Sequence, residues 1–411
     1  MKKYFYLLLC IMAAFTISGC WSEDEPKNLA VVNSAIYDIR EDGQYQVTHE
    51  FMNPTGSGGT GPGSSGGTSA SRPSITVTGA GPSINEALLN GALSTDKTLF
   101  GGHNEARFFT ERFARKDMVS IMDFIARDYL TDLTPYVVII QGDVDPGTFY
   151  STAPGLAETV GSFINKMYAN QPKELSKSVF ISTLDFMKEI YDDGKQPVAG
   201  LVKLVECEPS ESAALGSSSP AGSQGGAQKQ YKLVYEGLAA FKENVLVGFM
   251  DGIGARAYNF VTNKIQVAVV SAHTGEDFTV FQVRGAKAKN KLTLEGDQLT
   301  IEILVQMTAG ITAEGSTVDI TKPDGIKTVQ QGLNDLIAQE IAAAIGKAQT
   351  EFQSDIFGFG TSMHIQHPAQ WKSIKDNWDD YFSKATVRVG VASTIDRTGL
   401  IKEPFKLEES K

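Results

Sequence analysis

Cysteine is nearly absent from the body of this chain. The 411 residues include three cysteines, and two of them, Cys10 and Cys20, lie within the first twenty residues. Cys207 alone remains, so the body offers no partner for an intrachain disulfide and its stability must come from packed cores. Cys207 also lies between Glu206 and Glu208, and this acidic setting disfavours a nucleophilic role.

Basic residues and histidines are also few. Lys and Arg number 37 against 48 Asp and Glu, which gives a net charge of −11. Nucleic acid demands basic surface, so a nucleic-acid partner is disfavoured. The five histidines are scattered, at His49, His103, His273, His364 and His367, and no nucleophile is placed by its context. We therefore predict no catalytic set, no metal site and no cofactor, which favours a binding or assembly role.

Long hydrophobic runs are missing after the first twenty residues. Apolar runs such as 136–140 and 267–271 stop after a handful of residues, whereas a membrane-spanning helix needs about 20. The body of the chain is therefore predicted to contain no transmembrane helix.

The start of the chain instead indicates export and a lipid anchor. Lys2 and Lys3 precede an apolar stretch, Tyr4 to Ile17, that is too short to span a bilayer, as in a signal peptide. It ends in Ile17-Ser18-Gly19-Cys20, the pattern of a lipobox. We predict a signal peptide at 1–19, a diacylglycerol with palmitate-type chains on Cys20, and a tether at 20–27. Two or three acyl chains contribute about 0.8 kcal/mol per buried methylene, so a multiply acylated cysteine holds a protein at a membrane without a spanning helix.

Two Gly/Ser-rich stretches divide the body. Gly56 to Ser71 lies between strand-like segments and predicts a long hairpin loop, whereas Gly216 to Gly226 marks a linker. The fold class predicted is α+β, with three mixed α/β domains, each a sheet packed with helices. The predicted limits are domain I at 28–214 with its insert at 56–71, a linker at 215–228, domain II at 229–276, domain III at 277–403 and a tail at 404–411.

Hydrophobic periodicity predicts individual elements. Ser83 and Glu86 form a capping box that opens an amphipathic helix, and 137–140 reads as a buried strand. Further predictions are amphipathic helices around 118–125 and 156–167, two strands around the turn 295–297, a long helix with an apolar stripe over 329–352, and a half-buried strand at 385–392.

Four motifs imitate functional sites by their letters. The nucleophile-elbow pattern at 63–67 lies inside a Gly/Ser stretch, and the dinucleotide-type pattern at 252–257 has no clear helix behind it. The calcium-loop-like start at 143–147 has Pro154 where a glutamate is needed. His364 and His367 could share a helix face, but Pro368 follows and no third ligand is evident. We interpret all four as structural.

Several segments, taken in order, are distinctive. They are Gly19-Cys20-Trp21 with Leu29 to Val32; Ser83 to Leu93 with Leu99-Phe100-Gly101-Gly102-His103; Glu236 to Lys242 with Leu246 to Gly248; and Trp371, Trp378, Tyr381-Phe382, Val387, Val389, Val391, Ile395 and Thr398-Gly399-Leu400. This set resembles the Ger(x)C family of spore germination lipoproteins, the C subunits of nutrient germinant receptors. Ser22 stands where the family usually has an acidic residue, and the insert at 56–71 is unusually long.

The resemblance implies three mixed α/β domains and a lipid anchor at the outer surface of the inner spore membrane. It also implies association with the integral membrane A and B subunits of the receptor, without enzymatic activity. Cys20 alone carries over with a chemical role, as the lipid attachment site. Gly102, His103, Trp371 and Trp378 carry over as motif positions of unknown role. From its spacing with Phe382 we predict that Trp378 is a core residue, and Trp371 is left open between core packing and contact with a partner.

Two alternatives remain open at this point. An extracytoplasmic substrate-binding lipoprotein would capture the nutrient itself in an apolar pocket, which leaves no linear motif. A lipid-anchored enzyme acting on the cell wall would need a paired acid and base, and no such pair is evident in the sequence.

Overall fold

A computed structural model describes the body of the chain. The described residues are 28–52, 74–116, 118–128, 131–152, 157–170, 176–207, 230–274, 277–314 and 320–397, together with Lys3 and Val318. The predicted signal peptide, Cys20, the insert 56–71 with its nucleophile-elbow pattern, the linker 215–228 and the tail 404–411 lie outside these residues. Within the described part, no helix is long and apolar enough to cross a membrane.

Nine strands form the first sheet. They are β1 (Leu29–Ile39), β2 (Tyr45–Met52), β3 (Ser74–Gly81), β4 (Thr98–Phe100), β5 (Ala106–Thr110), β6 (Tyr136–Ile140), β7 (Val198–Glu206), β8 (Tyr231–Lys242) and β9 (Val245–Met250). The order is β3-β2-β1-β5-β6-β7-β8-β9, with β4 paired to the start of β1. The central strands β1, β5, β6 and β7 run parallel, and antiparallel strands flank them on both sides. Because Met52 pairs with Ser74 in antiparallel register, the predicted hairpin across the insert is confirmed.

Helices cover both faces of this sheet. They are α1 (Ile84–Ala92), α2 (Glu111–Ala114), α3 (Val119–Arg127), α4 (Pro146–Ser151), α5 (Val160–Asn170) and α6 (Thr183–Ile190). Helices α4 and α5 pack on one face, against Phe108 and Val138, while α1, α2, α3 and α6 contribute to the core on the other face. The predicted cap of α1 is confirmed, since Ser83 Oγ accepts from the backbone N–H of Glu86 at 3.2 Å.

The second sheet contains four long strands. They are β10 (Val267–Thr274), β11 (Asp277–Glu295), β12 (Gln298–Glu314) and β13 (Thr386–Arg397), in the order β10-β11-β12-β13. The predicted hairpin turns at Gly296, where φ is +61°, and the predicted last strand runs parallel to β12. The remaining helices here are α8 (Pro323–Lys347), which continues as a π-helical turn at Ala348–Phe352, α9 (Phe359–Gln366), α10 (Pro368–Ile374) and α11 (Trp378–Lys384).

A helix that the sequence did not predict lies between the two sheets. Helix α7 (Gly252–Val261) follows β9 directly, so the expectation of no helix behind Gly252 is wrong. Every residue from Ala255 to Val261 is buried, including the polar Arg256 and Asn259, so polar side chains do not mark a solvent-facing side of this helix. A Cβ on Gly252 would lie 2.3 Å from Oε1 of Glu236, so a larger residue at this strand-to-helix turn would require the Glu236 side chain to move.

The first sheet continues across the predicted linker. Strands β7 and β8 pair in antiparallel register from Val198↔Ala240 to Glu206↔Tyr231, so they are neighbours in one sheet. The proposed domain limits stay predictions, but in the described residues one hydrophobic core spans both sheets, and a second, smaller core lies on the α4–α5 face of the first sheet. Arg256 of α7 and Glu340 of α8 join the two sheets through two hydrogen bonds between buried side chains, one of 3.0 Å from Nε to Oε2.

Candidate functional site

An open cleft of about 1170 Å³ lies at the amino ends of the parallel strands. Because β1, β5 and β6 run parallel, the segments that precede β5 and β6 meet beside the start of β1. The end of the β2–β3 hairpin that carries its connecting loop joins them there. The lining residues come from 29–33, 51–52, 75–77, 94–97, 102–105 and 132–136, with Asn165 from α5. Side chains distant in the sequence therefore converge on one concave surface.

One part of this cleft is apolar. Phe51 pairs with Ile75 across the β2–β3 hairpin, and Val77 follows two residues later on the same face. Ile75 and Met52 are 50% and 47% exposed, so large apolar side chains meet solvent here. An apolar surface inside a concave site is typical of ligand pockets.

The opposing wall carries acceptors without donors. The backbone fixes it: Glu105 N–H donates to the Asn33 carbonyl at 2.8 Å, and Tyr136 N–H donates to the Glu105 carbonyl at 3.2 Å. Among the described residues, Oδ1 of Asn104 and Oε2 of Glu105 have no hydrogen-bond partner, although both atoms are screened from solvent. The other Glu105 oxygen is 3.4 Å from Nδ2 of Asn165. An unpaired buried acceptor costs about 1–3 kcal/mol, and more when it is charged.

The lining is negatively charged. It includes three carboxylates, Asp96, Glu105 and Asp132, and one ammonium, Lys97, so three minus one leaves a net charge of −2 with His103 neutral. Hydrogen bonds from the side chain and backbone of Thr134 lower the pKa of Asp132, which keeps that carboxylate ionised. Cations are therefore favoured in this cleft over anions.

The motif positions Gly102 and His103 both line the cleft. The His103 ring is exposed and lies edge-on to Phe100, with 6.4 Å between ring centroids. A Cβ on Gly102 would be 2.6 Å from Cζ of Phe100, so glycine lets this turn fold under the aromatic ring. Both motif positions therefore belong to the surface of the cleft.

A buried carboxylate fixes helix α5, which supplies Asn165. Glu50 is fully buried and accepts hydrogen bonds from the backbone N–H groups of Val160 and Gly161 at 2.8 and 3.1 Å, and from Ser34 Oγ at 2.7 Å. The first turn of a helix favours negative charge, because its N–H groups lack partners within the helix. Burial nevertheless raises the pKa of Glu50. The α5 side of the cleft is thus held by the sheet.

The other end of the parallel strands is closed by an ion pair. Asp38 lies near the end of β1 with 1% of its side chain exposed, and Arg112 donates two hydrogen bonds to it, one of 2.7 Å from Nε. Thr110 Oγ1 and the Ile39 N–H also donate to Asp38. Arg112 donates further to Asp143, so that part of the calcium-loop-like motif serves as an ion-pair partner. The carboxyl end is therefore a completed polar network.

Both motif tryptophans are buried, and they contact each other. The Trp371 and Trp378 rings meet at 68° with 5.3 Å between centroids, and His364 stacks on Trp371. His367 instead lies 3.0 Å from the Leu292 carbonyl, measured from Nε2. The predicted core packing of Trp378 is confirmed. Trp371, which the sequence left open between core packing and contact with a partner, is also buried in the core.

Trp378 also completes a buried turn around Asp355. The Asp355 carboxylate accepts from Trp378 Nε1 at 3.0 Å and from the backbone N–H groups of Phe357, Gly358 and Gly360 at 3.1, 3.0 and 2.8 Å. Burial raises the pKa of Asp355 to about 6 in spite of these donors. We interpret this turn as structural, because every contact named is internal to the fold.

The sequence did not find Asn104 or Glu105. Asn104 and Glu105 follow His103, the last residue of the motif that the resemblance identified. No spacing or periodicity in the sequence indicates that an acceptor will lack a donor. Among the described residues, no group of three metal-ligating side chains comes together.

Known proteins share this architecture. The crystal structure of the GerBC protein superposes with a TM-score of 0.53 at 17% sequence identity, covering 88% of this chain and 96% of that one. At this identity the match establishes the fold: sheets packed with helices in an α+β chain.

The sequence comparisons then give the family. Residues 22–204 match the model described as spore germination protein N-terminal domain, and residues 236–399 match the model described as spore germination B3/GerAC like, C-terminal. Spore germination protein KC of Bacillus subtilis (strain 168) is 23% identical over 411 residues, with 98% of each chain covered. Spore germination protein B3 of the same organism is 20% identical over 404 residues, with 97% of each covered. The chain belongs to the GerAC-like family of spore germination proteins.

Proposed function

We propose that this protein is the lipid-anchored, non-catalytic subunit of a nutrient germinant receptor. The observation that carries the proposal is the order of the two germination family matches, which together span most of the chain from residue 22 to residue 399. The lipobox ending at Cys20 supports the anchor, and the resemblance to receptor C subunits supports assembly with integral membrane A and B subunits. The protein would then stand on the outer surface of the inner spore membrane.

A pair of cysteine variants tests the anchor. Cys20→Ala should leave the protein unacylated and largely abolish nutrient-triggered germination, because a tether supplies the local concentration that assembly needs. Cys207→Ala is the matched control and should leave both lipid attachment and germination unchanged. Normal germination by spores whose Cys20→Ala protein is free of the membrane would overturn the anchor.

Assembly needs a separate measurement. Detergent-solubilised receptor, captured through a tag on the A or the B subunit, should retain this protein in stoichiometric amount. Its absence from both captures, with the protein folded and acylated, would contradict a receptor subunit and leave the germination family membership intact.

Nutrient capture is a second candidate function, and the cleft is the observation that favours it. A receptor subunit that only joins its partners does not require a concave surface with unpaired acceptors.

A further inference from the structure

We infer that the cleft binds a small organic cation, with a primary ammonium group held by Glu105 and Asn104 and an apolar body lying on Ile75 and Val77. The inference goes beyond the proposed function, since it concerns a ligand of this chain alone and depends on neither the anchor nor the partners.

The unpaired acceptors identify the polar end of the ligand. Oδ1 of Asn104 and Oε2 of Glu105 both lack donors among the described residues, and both residues line the cleft. An ammonium group carries three donors and no acceptor, so it suits acceptors of this kind. Both oxygens are screened from solvent in this structure, so binding requires these side chains to reorient, which the broad terminal torsions of asparagine and glutamate allow.

The charge of the lining selects against anions. Asp96 and Asp132 add to the negative potential of Glu105, and Lys97 is the single Lys or Arg of the lining. Asp96 and Lys97 are both exposed, so solvent screens both charges, and the half-buried Glu105 and Asp132 dominate the potential of the lining. A carboxylate or phosphate ligand would bring further hydrogen-bond acceptors to a surface where two acceptors already lack donors.

The apolar surface identifies the rest of the ligand. Phe51, Ile75 and Val77 lie side by side on one face of the β2–β3 hairpin. Covering exposed apolar surface is favourable in proportion to the area removed from water, so an aromatic or branched aliphatic body gains affinity here. The site thus fits an amine with an apolar body.

Isothermal titration of the mature lipoprotein in detergent tests this inference. The probes are 2-phenylethylamine and 3-phenylpropionate, which share the aromatic body and differ in the charge of the head group. The amine should bind saturably, and the carboxylate should bind at least tenfold more weakly. Equal affinity for the two probes, or no saturable binding of the amine, would overturn the inference.

Variants locate the binding. Glu105→Gln keeps the shape of the side chain and should weaken amine binding at least tenfold, and Ile75→Ser should weaken it several-fold. Glu302→Gln on β12 of the second sheet is the matched control and should bind like wild type. Melting temperatures of all three variants near that of wild type establish that they are folded.

Two results would contradict the assignment. If a folded Glu105→Gln protein bound the amine with unchanged affinity, the proposed contact between the ammonium group and Glu105 would be wrong. If the full-length chain failed to bind the amine and a chain with a shortened insert 56–71 bound it, the insert rather than a free amine would be the natural occupant of the cleft. Because these titrations use purified protein, they fail or succeed independently of the germination and capture experiments.

Discussion

The two ends of the parallel strands in the first sheet use polar groups in opposite ways. At the carboxyl end, Asp38 is almost fully buried and receives hydrogen bonds from Arg112, Thr110 and its own chain. At the amino end, Glu105 has one long hydrogen bond and one oxygen with no partner among the described residues. Ligands of parallel sheets usually bind beyond the carboxyl ends, yet here that edge is closed and the amino edge is open. A completed network stabilises the fold, and an incomplete one is available for binding.

The largest effect is expected at another completed network, the Asp355 turn. Trp378→Ala removes a buried indole and the side-chain donor to Asp355, so the free energy of unfolding should fall by about 3–5 kcal/mol. Trp378→Phe keeps much of the packing and loses the donor, and should cost about 1–3 kcal/mol. Denaturant unfolding measures both. A Trp378→Ala protein as stable as wild type would contradict the burial of this face of α11.

The next effect depends on pH and concerns His49, close to the open end. Burial lowers the pKa of His49 to about 4, and its Nδ1 has no partner. The unfolded chain binds this proton near pH 6.5, so stability is full above that value and is lost as the pH falls towards 4. The loss should be about 3 kcal/mol.

His49→Phe isolates this contribution, because it should remove the loss between pH 6.5 and 4 while other groups titrate as before. Asp355 acts in the opposite direction: its pKa is raised to about 6, so stability falls as the pH rises from about 4 through 6. A variant of the exposed His103, such as His103→Asn, is the control. Identical pH profiles for wild type and His49→Phe would show that the imidazole is hydrated in the folded state.

A smaller effect is expected at the closed end itself. Asp38→Ala leaves Arg112, Thr110 and the Ile39 N–H without their acceptor, and the free energy of unfolding should fall by about 2–3 kcal/mol, because Arg112 is half-exposed and can be hydrated. Asp143→Ala removes an ion pair whose acid is 89% exposed and should cost less than about 0.5 kcal/mol. Urea unfolding measures both free energies. Equal losses for Asp38→Ala and Asp143→Ala would contradict the view that the buried partner of Arg112 contributes more stability than the exposed one.

The smallest effect is expected at the open end. Glu105→Gln removes the charge from an acceptor that the fold leaves unpaired but keeps a polar amide in the same place, so the free energy of unfolding should rise slightly, by less than about 1 kcal/mol. Comparing the stability change of Glu105→Gln with that of Asp38→Ala tests most directly whether the two ends of the parallel strands differ in their contribution to the fold. A loss at Glu105 as large as that at Asp38 would mean that the amino end is also a structural network.

Local patterns in the sequence predicted most elements but not their assembly. The cap at Ser83, the buried run 137–140 and the turn at Gly296 depend on neighbouring residues, so periodicity and turn chemistry reveal them. Helix α7 was missed because Gly252 and Gly254 at its start resemble a turn, and because its polar residues Arg256 and Asn259 are buried rather than exposed. The pairing of β7 with β8 was missed because the Gly/Ser stretch between them resembles a linker whether it joins strands or domains.

The cleft could be predicted only in part, for a similar reason. Gly102 and His103 were found through resemblance, because they form a compact motif. Glu105 and Ile75 converge through strand order, which brings together residues 30 positions apart (105 − 75) on opposite walls. An unpaired oxygen is a property of the surroundings rather than of a sequence pattern, so it becomes visible only in three dimensions.

The parallel pairing of β12 with β13 has a consequence for folding order. Thr300 pairs with Thr386, a separation of 86 residues (386 − 300), and the intervening chain forms α8 and the helices after it. Contacts of such long range form slowly, because the loop must close before the pairing stabilises it. Until β13 docks, the 17 residues of β12 present an unpaired edge, which is a template for association between chains. A chain that stops before residue 386 is therefore expected to aggregate rather than to fold as a shorter domain.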